Sequence, residues 1–325
     1  MPTLPPGLNF DEAGSGVAAL EILSGAPKIW WRLGGGQEPL WPYLAALSTA
    51  FMGNIPLALR LPAALIGILT VAAVYPLLLI LRLGNRRETH FIALLTALSL
   101  TLSEWHLHFS RLGFRAILLP LLSTLAFYFL WRGLISSQNS DFTHHASRIT
   151  LLTLAALFTA LAMYSYLAAR LLPLVPLLYW VLLWLLKKIK QRSIPPSIEP
   201  QKKNHRFSLS LLPTPYSLLP TPYFLLLLLF LSPLILYFSL NPADFVARST
   251  TVSVFNPAWN QGNLGGTLWQ TLTATLGTFL GLTGDPNPLV NLPRPTRCPA
   301  VSGSFFSASA CSSASIEFSP LPPCP

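Results

Sequence analysis

Asp11 and Glu12 stand side by side, just after the turn-forming run Pro5-Pro-Gly-Leu-Asn-Phe10. They open a stretch, about 11–24, whose apolar residues recur at helical spacing. A carboxylate held just outside a membrane can act as general base on an acceptor hydroxyl. The same pair also suits the first turn of any helix, where the helix dipole is positive. Both readings stay open. Arg111 and Arg115 are four apart in Glu104-Trp-His-Leu-His-Phe-Ser-Arg-Leu-Gly-Phe-Arg115. On one continuous helix that spacing puts both on one face, where two guanidiniums can hold a phosphate by charge-assisted hydrogen bonds. Arginines near the ends of apolar spans also snorkel to lipid headgroups, and that alternative stands beside the first. Arg170 and Arg248 are two more isolated cations, and Glu38 precedes Pro39 at the edge of another amphipathic stretch, about 39–53. His106 and His108 lie beside Arg111, but two histidines fall short of a metal-ligand set. No metal is expected, and the pair reads as interfacial histidines.

The elements that must position these residues are long apolar runs. The chain has 325 residues, 52% of them hydrophobic and 10% charged, with a mean hydropathy of +0.54. An ordinary soluble domain carries about 25% charged residues. Runs at about 57–81, 89–106, 114–134, 149–168, 171–187 and 223–240 are Leu-rich and nearly charge-free. Crossing a bilayer takes roughly 20 residues of helix, so the expected fold is all-α: a polytopic membrane bundle of about six spans, with external juxtamembrane helices. The net charge of +10 is not accompanied by any nucleic-acid-binding motif. Its pattern instead sets topology. Arg82, Arg86, Arg87, Arg132, Arg148, Lys187, Lys188, Lys190, Arg192, Lys202, Lys203 and Arg206, twelve of the 21 basic residues, fall on one side when six spans alternate. By the positive-inside rule that side is the cytoplasm. Residues 1–56, about 104–113, 168–170 and everything after 240 are then external. On this parity the 39–53 stretch, with Pro39 and Pro42 in its first turn, is a helix lying in the outer interface or re-entrant. A similar stretch is expected at about 266–282.

Four regions follow. Residues 1–56 form an external segment with the Asp-Glu pair. Residues 57–240 form the transmembrane core. Residues 241–293 form a second external segment. Residues 294–325, rich in Ser, Pro and Cys without periodicity, are expected to be disordered. The core is interrupted by a low-complexity cytoplasmic insertion, 188–222. There Leu211-Leu-Pro-Thr-Pro-Tyr-Ser217 recurs as Leu218-Leu-Pro-Thr-Pro-Tyr-Phe224. Paired prolines forbid helix interior. Cys298, Cys311 and Cys324 show no metal-ligand spacing, and their odd number argues against a closed disulfide set. No signal-peptide pattern opens the chain. The abrupt loss of pattern near 294 is read as a frameshift or premature end.

Taken together, Pro5-Pro-Gly-Leu-Asn-Phe-Asp-Glu-Ala13, Gln37-Glu-Pro-Leu-Trp-Pro-Tyr-Leu44, Leu59-Arg-Leu-Pro-Ala-Ala-Leu65, Phe109-Ser-Arg-Leu-Gly-Phe-Arg115 and Tyr164-Ser-Tyr-Leu-Ala-Ala-Arg170 resemble the GT-C glycosyltransferases. The resemblance is to their family-39-like group, which includes protein O-mannosyltransferases and aminoarabinose transferases, and it covers roughly residues 3–293. It implies an external acidic residue, mapped onto Asp11 with Glu12 beside it, and two juxtamembrane helices. It implies a polyprenyl-phosphate sugar donor met by Arg111, Arg115 and Arg248, with Arg170 nearby, and a hydroxyl acceptor on a glycolipid, envelope glycan or protein. Transfer would be inverting, without metal or cofactor, on the external face of a bacterial plasma membrane. The family's helix before the Asp-Glu loop and its later helices have no counterpart, so the resemblance implies a chain truncated at both ends. The rival readings are a transporter or flippase of an amphiphilic anion, and a catalytically dead fragment of the enzyme. Apolar spans with charges at their outer edges, and no repeat between halves, favour the enzyme over the transporter.

Overall fold

Asn9 begins the first ordered element by capping it. Its side chain accepts from the Asp11 N–H at 3.3 Å and from the Glu12 N–H, and its own N–H donates to Glu12 Oε2 at 2.9 Å, closing a capping box. A computed structural model of the chain describes residues 7–33, 36–135, 142–193 and 221–279. It divides into one unit, Met1–Ser253, and a second, Val254–Pro325. Among the described residues the regular elements are all helices, with a single isolated β-bridge between Trp31 and Gln37.

In the first unit α1 (Phe10–Leu23) and α2 (Leu40–Met52) precede the long α3 (Pro56–Leu81). Then come α4 (Arg86–Leu102), the short α5 (Glu104–Arg111), a 3-10 turn at Arg115–Ile117, and α6 (Leu118–Ile135). They are followed by α7 (Phe142–Met163), a 3-10 turn at Leu167–Leu171, α8 (Leu174–Ser193), α9 (Thr221–Leu240) and α10 (Pro242–Val252). Among the described residues, four stretches are long and apolar enough to cross a membrane: Pro56–Leu81, Arg115–Ile135, Leu167–Leu186 and Thr221–Leu240. The other two expected spans come out shorter. The 89–106 run breaks at Ser103, whose backbone is extended (φ −65°, ψ 120°), and helix restarts at Glu104. That leaves 17 residues in α4, or roughly 26 Å at 1.5 Å per residue. The 149–168 run ends at Met163, where Tyr164 and Ser165 turn the chain. Pro62 and Pro76 sit inside α3 and Pro233 inside α9 without ending either helix, a tolerance common in membrane helices.

Helix α3 packs against α2, α4, α5 and α6; α6 packs against α7, and α7 against α9. Trp41, Ala63, Ile66, Ile117, Leu118, Leu122 and Ala162 form one core. Leu130, Leu152, Ala155, Ala156, Tyr223 and Leu227 form another. The alanines let helix backbones approach closely, as packing without a hydrophobic driving force requires. Thr159 and Tyr223 share a buried hydroxyl–hydroxyl bond of 3.0 Å. The opposite faces carry exposed Ile68, Leu94, Leu178 and Leu228, the inside-out pattern of lipid-facing helices.

The segments expected on the external side meet at one end of this bundle. The Leu40 N–H donates to the Tyr164 carbonyl at 3.0 Å, the Gly113 N–H to Glu12, and Arg170 to the Phe245 carbonyl at 2.7 Å. The juxtamembrane stretches at 11–24 and 39–53 are α1 and α2, which pack on each other. The second unit holds α11 (Pro257–Asn260) and α12 (Leu264–Phe279); α12 covers 266–279 of the stretch expected at 266–282, whose last three residues lie outside the described ones, and Leu268, Leu272 and Leu276 are exposed there. Most of the 188–222 insertion and the whole 294–325 tail lie outside the described residues.

Candidate functional site

The Asp-Glu pair is divided between two environments. Neighbouring helix positions point about 100° apart, so when α1 docks, one carboxylate faces in and the other out. Glu12 is fully buried and Asp11 is exposed. Glu12 Oε1 accepts from Arg60 Nε at 2.9 Å and from the Gly113 N–H at 2.7 Å. Its Oε2 accepts from an Arg60 terminal amine at 3.0 Å and from the Asn9 N–H at 2.9 Å. A carboxylate offers about four acceptor sites, and all four are occupied. Burial opposes the charge on Glu12, but the bonds from Arg60, Gly113 and Asn9 outweigh it and hold the carboxyl below its ordinary pKa. Glu12 is therefore an anchor, tying α1 to α3 and to the α5–α6 junction.

Arg60 is the partner that sequence reasoning missed. It lies in the second turn of α3, is itself fully buried, and also donates to the Gly7 carbonyl at 2.7 Å. The available signal was a lone charge inside the otherwise apolar run 56–81. Gly113 is required by the same contact. A Cβ there would lie 3.0 Å from the Leu59 carbonyl oxygen and 3.3 Å from Glu12 Oε1.

Arg111 and Arg115 do not share a helix face, which corrects the expectation from their spacing. Helix α5 ends at Arg111, and Leu112 and Phe114 are extended (ψ 148° and 130°), so the two side chains diverge. Gly113 is the residue seized by Glu12, and that bond holds the interruption open. Arg111 is exposed. Arg115 turns inward to pair with Glu38 at 3.1 Å, donates to the Gly36 carbonyl at 3.1 Å, and lies 5.9 Å from the Tyr166 ring. Glu38 is buried, and its field also reaches Arg170. Arg170 stacks over the rings of Phe245 and Phe238, at 4.5 and 5.1 Å. Gln37 reaches back to donate to Ser15 Oγ on α1 at 2.9 Å.

His106 is buried, with Nε2 3.0 Å from the Gly67 carbonyl on α3. His108 packs edge-on against Phe109 at 5.7 Å. Arg248 belongs to α10, but its side chain lies outside the described residues. The arrangement thus brings Glu12, Glu38, Arg115 and Arg170 to one end of the bundle, in paired or stacked roles, and leaves Asp11 and Arg111 exposed to either side of the Glu12–Gly113 contact. Comparisons with protein-family models, with curated proteins and with solved structures return no match for this chain.

Proposed function

We propose that this chain is a membrane glycosyltransferase of the GT-C type, moving a sugar from a polyprenyl-phosphate donor to a hydroxyl acceptor. In this reading α3, α4, α6, α7, α8 and α9 cross a bacterial plasma membrane, and the end bearing Asp11 faces outward. One observation carries the reading. The buried Glu12–Arg60–Gly113 clamp immobilises α1 and the α5–α6 junction; Asp11, one residue before Glu12, and Arg111, two before Gly113, are an exposed carboxylate and an exposed guanidinium. A general base and an anion contact on a rigid frame are what transfer from a phosphate leaving group requires.

The step balances as an inverting displacement. The Asp11 carboxylate takes the acceptor O–H proton, and the acceptor oxygen bonds the anomeric carbon from the face opposite the phosphate. The bond from that carbon to the phosphate oxygen breaks, and the polyprenyl phosphate leaves with the electron pair beside Arg111. Asp11→Asn keeps size and removes the base. In proteoliposomes supplied with polyprenyl-phosphate sugars, it should lower transfer roughly 10²–10⁴-fold while thermal stability stays that of the parent. Arg111→Ala should raise the KM for the donor. A parent that transfers sugar with Asp11→Asn equally fast would remove Asp11 from the chemistry.

A further inference from the structure

Beyond α1 the chain runs through Lys28, Trp30, Trp31 and Arg32 and, with Glu21 and Tyr237, walls a cavity of about 490 Å³. Ligand pockets commonly measure about 300–1,000 Å³. Glu21 is ten residues along α1 from Asp11, roughly 15 Å at 1.5 Å per residue, so this cavity is separate from the Asp11 end of the helix. Tyr237 brings in the last turn of α9, which places the cavity where an apolar, membrane-length helix ends.

The polar groups lining it are mostly donors. Lys28 Nζ gives one of its three N–H groups to Glu21 Oε2, at 2.7 Å. The Trp31 indole N–H goes to the same oxygen at 3.0 Å. Arg32 is held from outside the lining by Asp244, through Nε alone, at 3.0 and 3.2 Å. Its terminal amines carry no hydrogen bond among the described residues, and its side chain is 74% exposed. Tyr237 donates to Asp244 Oδ2 at 2.8 Å. Among the described residues the Trp30 indole Nε1 has no acceptor, but it is sealed from solvent and does not open into the cavity.

These facts choose between ligand classes. A bare sugar would want an open aromatic face for stacking, but Trp30 and Trp31 are both buried. A cation would face two cations, Lys28 and Arg32, against a single lining carboxylate, Glu21, that is already paired with Lys28. An oxyanion with several acceptor oxygens matches the Arg32 terminal amines and the remaining Lys28 N–H groups together.

We infer that this cavity binds a phosphate group, as the headgroup of a membrane amphiphile or as a free phosphate, with Arg32 as its principal contact. The site does not depend on whether the chain transfers sugar. Asp244 orients the Arg32 guanidinium by its Nε edge and leaves the outer edge for the ligand.

The test uses the full chain purified in an uncharged maltoside detergent and titrated calorimetrically with dodecyl phosphate, with dodecyltrimethylammonium as the opposite-charge control. Saturable binding of dodecyl phosphate alone is expected. Arg32→Gln should weaken it roughly ten- to a hundredfold, the effect of losing one charged hydrogen-bonding partner. Lys28→Gln should weaken it several-fold, and it carries the test if Arg32→Gln fails to fold. Competition by inorganic phosphate would assign recognition to the phosphate alone. Saturable binding without such competition would assign it to a lipid headgroup. Unchanged affinity in both variants, or equal binding of the cationic amphiphile, overturns the proposal. The readout is binding, so it is independent of any result with Asp11.

Discussion

Glu12 and Arg60 form an ion pair in which neither side chain reaches solvent, with Nε 2.9 Å from Oε1. Two charges out of water are tolerated because every remaining site on the carboxylate is met by a backbone N–H or a second guanidinium nitrogen. Removing one partner should therefore cost far more than the pair is worth. Arg60→Met leaves an unpaired buried carboxylate, for which the expected loss is about 3–5 kcal/mol. The double variant Glu12→Leu with Arg60→Met should be closer to the parent than the sum of the two single changes. Thermal unfolding in detergent measures both. An Arg60→Met variant as stable as the parent would mean the pair is not buried in the folded protein.

The same pair sets a pH dependence. Glu12 is held below the ordinary glutamate range, so its folded pKa lies under its unfolded one. Its contribution is fully present above the unfolded value, about 4.3, and is lost as pH falls through the lowered folded value. Stability should thus be insensitive to this group from neutral pH to about 5 and decline below about 4.3. Glu21 is lowered too, chiefly by its bond to Lys28, so it acts in the same direction. Glu12→Gln should flatten the acid limb of a melting-temperature profile relative to the parent. An unchanged acid limb would assign the decline to other carboxyls.

Much of the helical frame was legible in apolar runs. Residues 57–81 read as a span and form α3; 223–240 read as a span and form most of α9. Both runs are long, Leu-rich and free of competing signals. The break at Ser103 was not legible, because a polar residue near the end of an apolar run looks like a ragged span end. What decides it is tertiary: His106 and Ser110 of α5 pack onto Gly67 of α3, and α5 could not reach there as a straight continuation of α4. The site was legible in residue types and illegible in pairing. Glu12 finds a partner 48 positions away, Glu38 one 77 away, and Arg32 one 212 away. No local pattern connects such residues. Asp11 and Glu12 look equivalent in sequence, and only the docking of α1 makes one an anchor and leaves the other free.

Gly67 offers a test of the α3–α5 contact. A Cβ at this position would clash with Ser110 Oγ and sit 2.8 Å from Ser110 Cβ, against helix rather than a flexible side-chain tip. The His106 ring nitrogen meets the Gly67 carbonyl at the same place. Gly67→Ala should destabilise by about 1–3 kcal/mol, as overpacking does. Adding Ser110→Gly should restore part of that loss if the clash is the cause, although glycine lowers the helix propensity of α5. Equal melting temperatures for parent and Gly67→Ala would show that the two helices sit further apart.

Orientation is the remaining expectation that a single experiment decides. The described residues before α3, the α5–α6 junction, the Leu167–Leu171 turn and α10 are linked by hydrogen bonds at one end of the bundle. Twelve of the 21 basic residues belong to the loops expected at the other end. Translocating a loop rich in Lys and Arg is disfavoured, so that end should stay cytoplasmic. Cys298, Cys311 and Cys324 are first replaced by serine, which leaves a thiol-free background. Ser24→Cys then reports the end bearing α1, where Ser24 is exposed just past the helix. Ser197→Cys reports the Lys- and Arg-rich loop. In intact cells an impermeant maleimide should label Ser24→Cys and not Ser197→Cys, and permeabilisation should make Ser197→Cys reactive. The reverse pattern would put Asp11 in the cytoplasm, where an acceptor on the outer face could never meet it.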